Sequence, residues 1–306
     1  MVAGSSASAR SVEPLNIAGT ALEHWIEGAR PKTLPAAVVP VAVGTGIAFG
    51  DGQAVGGRAL LAAVVALALQ IATNYANDYS DGVRGTDDVR VGPLRLVASG
   101  TARPRAVKGA ALVWFGVAAV CGVVLALSTS LWLVAIGALA IAAGWLYTGG
   151  PSPYGYMGLG EVFVFVFFGL VATVGTVYVQ TETIGRIEWV AAVAVGVLAV
   201  ALLITNNLRD IPGDIESGKR TLAVRLGDER TRRFYVLAIA AAFVAVVVSA
   251  IDRPWALVGL AAVPLAVPPI RVVLGGAKGR DLIAVLAGTS RLQLAFGVCY
   301  SIGLAI

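Results

Sequence analysis

Histidine, cysteine and charge are all scarce in this chain. Its 306 residues include one histidine and two cysteines, and only 13% are Asp, Glu, Lys or Arg. A lone His24 leaves no partner for a zinc site or an imidazole relay, and beside Trp25 it reads as a membrane-edge residue. Cys121 and Cys299 both fall within apolar runs, so neither a disulfide framework nor a thiolate metal site is expected. No phosphate loop of the nucleotide-binding type is present, because GVRG and GPLR do not follow strands. The formal net charge of +5 is spread over several loops and is no nucleic-acid footprint.

What the chain does have is apolar sequence. Hydrophobic residues make up 58% and the mean hydropathy is +0.82, far outside soluble usage. Residues 33–50, 59–77, 109–160, 162–181, 189–208, 234–251 and 254–270 carry no charge. Each is close to, or longer than, the roughly 20 residues that cross a hydrocarbon core. The stretch 109–160 is too long for one helix; it divides at Ser128, Thr129 and Ser130 and ends in the turn-rich GGPSPYGY. A last span falls within 283–306, with Arg291 inside it. The expectation is an all-α polytopic membrane protein of nine transmembrane helices, packed closely through Ala, Val and Gly.

With the N-terminus in the cytoplasm, the inner loops collect nearly all the basic residues, and only Arg58, Arg186 and Arg253 fall outside. Residues 1–22 are small and polar and lack an apolar core, so they read as a disordered tail and not as a cleaved signal peptide. Residues 23–306 form one membrane domain, expected in the cell membrane.

Two polar segments interrupt this pattern. NYANDYSDGVRGTDD (74–88) follows the second span and NNLRDIPGDIESGKR (206–220) follows the sixth. Each opens with Asn-x-x-x-Asp, Asn74 with Asp78 and Asn206 with Asp210, and each carries a further acid, Asp81 or Asp214. Four spans separate them, so both lie on the same side of the membrane, the cytoplasmic one. On a helix Asn74, Asp78 and Asp81 share a face. Asn206, Asp210 and Asp214 do so if their helix continues, whereas Pro212 would end or kink it and set Asp214 on a turn.

Acids gathered at the mouth of an apolar segment repel one another unless a cation neutralises them. Hard oxygen ligands without histidine or cysteine suit Mg²⁺, or Mn²⁺, with positions left for water and phosphate. Asp78, Asp81, Asp210 and Asp214 are the candidate metal and catalytic residues. Asn74, Asn206, Arg30, Lys32, Arg84 and Lys219 are candidates for gripping the phosphates. A metal-bound phosphate at the water side, with apolar helices behind it, describes a substrate with a diphosphate head and a hydrocarbon tail. A polyprenyl diphosphate has both.

NDYSDGVRGTDD, RVGPLRLVASG, YTGGPSPYGYMGLGE and NNLRDIPGDIESGKRTLAVRLG together resemble the intramembrane aromatic prenyltransferases of the UbiA superfamily. Within it the sequence is most similar to the 1,4-dihydroxy-2-naphthoate polyprenyltransferases of menaquinone synthesis, especially actinobacterial ones. The resemblance covers nearly the whole chain from Trp25 onward. It implies a helical bundle around a central cavity with a lateral opening to lipid. It also implies transfer of a polyprenyl group to 1,4-dihydroxy-2-naphthoate, with loss of CO₂ and diphosphate, yielding demethylmenaquinone. The superfamily's third acid of the first motif is replaced here by Gly85, and Asp87 and Asp88 follow it. Tyr147, Tyr154 and Glu161 are candidates for the prenyl and acceptor pocket, where aromatic faces would stabilise an allylic cation. Tyr156 lies beside them. The alternatives are another aromatic acceptor, such as 4-hydroxybenzoate, or a secondary transporter, which chelation of Mg²⁺ would leave unaffected. No protein partner is expected.

Overall fold

The computed structural model describes residues 20–86 and 94–306. Among them all regular secondary structure is helical. Of the expected tail only the last three residues are described, and these already belong to helix α1 (Ala21–Gly28) or its cap. Thr20 and Glu23 close a capping box there, Glu23 accepting the Thr20 N–H at 2.7 Å and Thr20 accepting the Glu23 N–H at 3.3 Å. Arg30 then takes a left-handed conformation at φ 55°. Pro35 opens α2 (Pro35–Gly50), bent by 52° from the segment before it.

Helix α3 (Gly56–Arg84) ends at Gly85, whose φ of 70° is the left-handed turn that glycine adopts at little cost. Helices α4 (Pro104–Ser128) and α5 (Trp132–Leu146) divide where Ser128 and Thr129 donate to the Leu125 carbonyl at 2.9 and 2.7 Å. The hydroxyls satisfy an acceptor that the helix end leaves open. Then follow α6 (Gly160–Thr181), wound as a π-helix over Phe165–Val171, and α7 (Arg186–Glu216). The short α8 (Leu222–Leu226) precedes α9 (Asp228–Ser249), α10 (Pro254–Leu274) and α11 (Asp281–Ala305).

Seven of these, α3, α4, α6, α7, α9, α10 and α11, are long and apolar enough to cross a membrane, and α2 with its bent lead-in would be an eighth. Helix α5 has 15 residues and rises about 22 Å, short of a core about 30 Å thick. Nine crossings therefore require both α2 and the short α5.

Pro212 does not break α7 as a proline in a helix interior is expected to. Its missing N–H leaves the Leu208 carbonyl without an intrahelical donor, yet the helix continues four residues beyond it to Glu216. The helix runs on, and Asp214 stays in register with Asp210.

The main core is shared by α2, α7, α9, α10 and α11, with Ile47, Leu198, Tyr235, Phe296 and Tyr300 fully or almost fully buried. A second cluster joins α3 and α4 to the segment around Leu96. Lipid competes with apolar side chains, so close backbone approach carries much of the helix packing. At Gly303 of α11 an added Cβ would overlap the carbonyl oxygen of Trp255 in α10. Gly303→Ala is expected to cost about 1–3 kcal/mol, read as a lower thermal midpoint in detergent. Gly116→Ala, where a Cβ meets nothing within 4 Å, should leave the midpoint unchanged.

Candidate active site

A cavity of about 1180 Å³ runs between α2, α3, α5, α6 and α7. Along α3 its wall extends from Asp81 to Ala62, about 28 Å by helical rise. Asp81, Asp210, Asp214 and Lys219 mark one end, while Val65, Trp132 and Trp189 belong to the apolar remainder.

Helical geometry decides which face of α3 meets this cavity. Residues 74, 77 and 81 fall within about 60° of arc, and residue 78 lies about 60° further round from 81. Asn74, Asn77 and Asp81 line the cavity, but Asp78 does not. The expectation that Asn74, Asp78 and Asp81 form one cavity face therefore holds for Asn74 and Asp81 alone. The Asp78 carboxylate instead accepts the backbone N–H groups of Leu96 and Val97, at 2.8 and 3.0 Å. Asn74 donates to the Ala29 carbonyl and to Thr33 at 2.8 and 3.1 Å, tying α3 to the lead-in of α2. Asn77 accepts the Thr148 hydroxyl at 2.8 Å.

Asp81 is the centre of the polar end. Lys219 Nζ lies 3.5 Å from one of its oxygens and Arg95 Nη2 3.5 Å from the other, and the Tyr156 hydroxyl donates to it as well. Burial, and then the neighbouring carboxylate, push the Tyr156 phenol well above its usual range, so it remains a donor. Lys219 also sits 4.6 Å from the Tyr156 ring centroid. Since Lys219 follows α7 and its own N–H bonds the Asp214 carbonyl at 2.8 Å, the two polar segments meet here.

On α7 the cavity wall includes Asn206, Asn207, Asp210 and Asp214. Arg209 grips Asp210 with two bonds of 2.7 and 2.8 Å. Asp214 accepts the Thr221 hydroxyl at 3.2 Å. Asn207 donates to Glu161 at 2.9 Å, and the other Glu161 oxygen is buried without a hydrogen-bond partner among the described residues. Glu161 thus reaches the cavity through Asn207 and is not itself part of the wall.

The remaining expected residues separate. Arg30 lines the cavity, whereas Lys32 is exposed and lies off its wall. Arg84 donates to the carbonyls of Thr148 and Gly150 and stands over the Tyr156 ring, so it braces the connection between α5 and α6. Tyr147 and Tyr154 are on the wall, with centroids 5.5 Å apart, and Tyr154 stacks on Phe163 at 3.9 Å. Asp87 and Asp88 lie outside the described residues.

Asn77, Asn207 and the pairing of Arg95 with Asp81 were not picked out from the sequence. A signal for Asn77 exists, because Asn-x-x-x-Asp occurs twice in the first segment, as Asn74 with Asp78 and as Asn77 with Asp81.

The donor set suits a small hard cation. Asp81, Asp210 and Asp214 bring carboxylates to one end of the cavity. Among the described residues no three acidic, histidine or cysteine side chains converge into a cage. Mg²⁺ characteristically takes one or two protein carboxylates, with water and phosphate in its other positions.

Comparison with known proteins points the same way. The profile of the UbiA prenyltransferase family matches residues 37–286. The 1,4-dihydroxy-2-naphthoate octaprenyltransferase of Mycobacterium tuberculosis is 52% identical over 285 residues, covering 92% of this chain and 97% of its own. An apo UbiA homolog from Aeropyrum pernix K1 shares the fold with a TM-score of 0.68 at 15% identity, over 87% of this chain and 95% of its own. One from Archaeoglobus fulgidus, bound to GPP and Mg²⁺, gives 0.58 at 17% identity, over 91% and 99%.

Proposed function

The chain belongs to the UbiA prenyltransferase family, and on that premise we propose that it transfers a polyprenyl group from polyprenyl diphosphate to 1,4-dihydroxy-2-naphthoate. CO₂ and diphosphate leave, and the product is demethylmenaquinone in its reduced form. The observation that carries this reading is the meeting of two acidic segments at one end of a long apolar cavity, with Lys219 of one beside Asp81 of the other. The name of the Mycobacterium tuberculosis relative supports the naphthoate as acceptor.

In this reading Asp81, Asp210 and Asp214 hold Mg²⁺, the ion seen with a prenyl diphosphate in the Archaeoglobus homolog. Bound Mg²⁺ draws charge from the diphosphate and makes it a better leaving group. The chain's own residues do the rest. Lys219, Arg95 and the protonated Tyr156 converge on the same end and orient the phosphate oxygens. Tyr147, Tyr154, Phe163 and Phe167 line the cavity behind them, an aromatic wall that stabilises positive charge on the allylic carbon as the C–O bond breaks. Apolar helices keep water from that carbon. The naphthoate ring carbon bearing the carboxylate attacks, and the carboxylate departs as CO₂, leaving its electron pair to restore the aromatic ring.

We place the protein in the cell membrane with the acidic end and the N-terminus facing the cytoplasm, because the basic residues of the loops concentrate on that side. Membrane-impermeant labelling of a single cysteine at Ser217 should then occur in inverted vesicles and not in intact cells.

The decisive assay combines purified protein, Mg²⁺, polyprenyl diphosphate and the naphthoate, with the prenylated product identified by mass. Chelation of divalent ions should abolish transfer, and added Mg²⁺ should restore it. Transfer that survives chelation would exclude the metal assignment, and transfer to 4-hydroxybenzoate but not to the naphthoate would exclude the acceptor.

A further inference from the structure

The geometry points to Asp78 as a positioning residue that clasps the 94–97 segment and thereby sets Arg95 against Asp81 for diphosphate binding. The inference rests on the prenyl-transfer reading. Acid chemistry and spacing make Asp78 look like a metal ligand, yet it is 1% exposed and absent from the cavity wall. Its two oxygens are each committed to a backbone amide, Oδ2 to Leu96 and Oδ1 to Val97. Bonds to a charged acceptor are roughly twice as strong as neutral ones.

The clasp works because the neighbouring surfaces leave room for nothing larger. Leu96 is fully buried and lies so close to α1 that a Cβ on Gly28 would come within 2.7 Å of it. A Cβ on Gly82 would overlap the Val97 side chain. Gly28 and Gly82 therefore let the segment lie flush on α1 and α3, and Asp78, one turn from Gly82, holds it there. Arg95 precedes the two clasped residues, is 8% exposed, lines the cavity and reaches Asp81 at 3.5 Å. Holding Leu96 and Val97 thus fixes the direction from which a guanidinium enters the site. No cavity-lining group is asked of Asp78 itself.

Asp78→Asn keeps the size and one acceptor oxygen but loses half the clasp. The KM for polyprenyl diphosphate is expected to rise about tenfold, the loss of one bond to a charged acceptor. The Mg²⁺ concentration at half-maximal rate, at saturating diphosphate, should match the wild type. The variant combined with Arg95→Met should have the KM of Arg95→Met alone. Amide hydrogen exchange in peptides covering 94–102 should accelerate in Asp78→Asn, a readout independent of turnover. In the wild type, the Leu96 and Val97 amides should exchange slowly with or without Mg²⁺.

A shifted Mg²⁺ half-saturation, additive KM effects, a lower thermal midpoint with unchanged KM, or wild-type protection that appears only with Mg²⁺ would each overturn the inference. The last needs no variant and holds even if Asp78→Asn fails to accumulate. Absence of any prenyl transfer by the wild type would defeat the functional reading instead, while the exchange experiment would still report on the clasp.

Discussion

Asp81→Asn and Asp210→Asn are each expected to lower prenyl transfer by about three orders of magnitude, with normal membrane insertion and normal elution in detergent. Loss of a single preorganised charge from a water-excluded site costs about 10²–10³ in rate when it acts on charge developing in the transition state. Here that charge grows on the departing diphosphate. The carboxamide keeps the shape and one acceptor but removes the negative charge that holds a divalent ion. Turnover within tenfold of wild type in either variant would remove that aspartate from the metal site. The fall should be in kcat, since Asp81 retains Arg95, Lys219 and Tyr156 around it to define the pocket. Raising Mg²⁺ should recover part of the loss at most.

Much of this arrangement was legible in the sequence because the physics is local. Charge-free runs long enough to span a bilayer mark the helices, the Ser128–Ser130 triplet separates α4 from α5, and the spacing of Asn206, Asp210 and Asp214 places them on one face. The less legible features depend on distant chain. A helical period tells which residues share an arc of about 100° but not which edge of the arc meets a cavity. Asp78 and Asn77 lie on opposite edges of the arc centred on Asp81. Only the docking of Leu96 and Val97, nearly twenty residues on, assigns one edge to backbone amides and the other to the cavity. Arg84 reads as a phosphate ligand by charge, yet the α5–α6 connection offers its guanidinium two carbonyls. Pro212 misleads because it removes a single backbone bond, to the Leu208 carbonyl, without ending α7, which runs on to Glu216.

Lys219→Met should separate activity from stability. Its ammonium is buried with Asp81 and faces the Tyr156 ring, and the pair has side-chain exposures of 10% and 4%. Removing the cation takes away a charged partner worth about 2–3 kcal/mol, so kcat/KM for the prenyl diphosphate should fall roughly 30–150-fold. The same change leaves a buried carboxylate less compensated, and the thermal midpoint should drop. Adding Asp81→Asn to Lys219→Met then removes the uncompensated charge. The double variant should regain much of the lost midpoint while remaining inactive, because neutralising both members of a buried pair relieves the desolvation cost without restoring a metal ligand. A double variant less stable than Lys219→Met alone would mean that Asp81 is held chiefly by Arg95 and Tyr156. The contact with Lys219 would then be incidental to the fold, and the link between the two polar segments would have to be carried by the substrate.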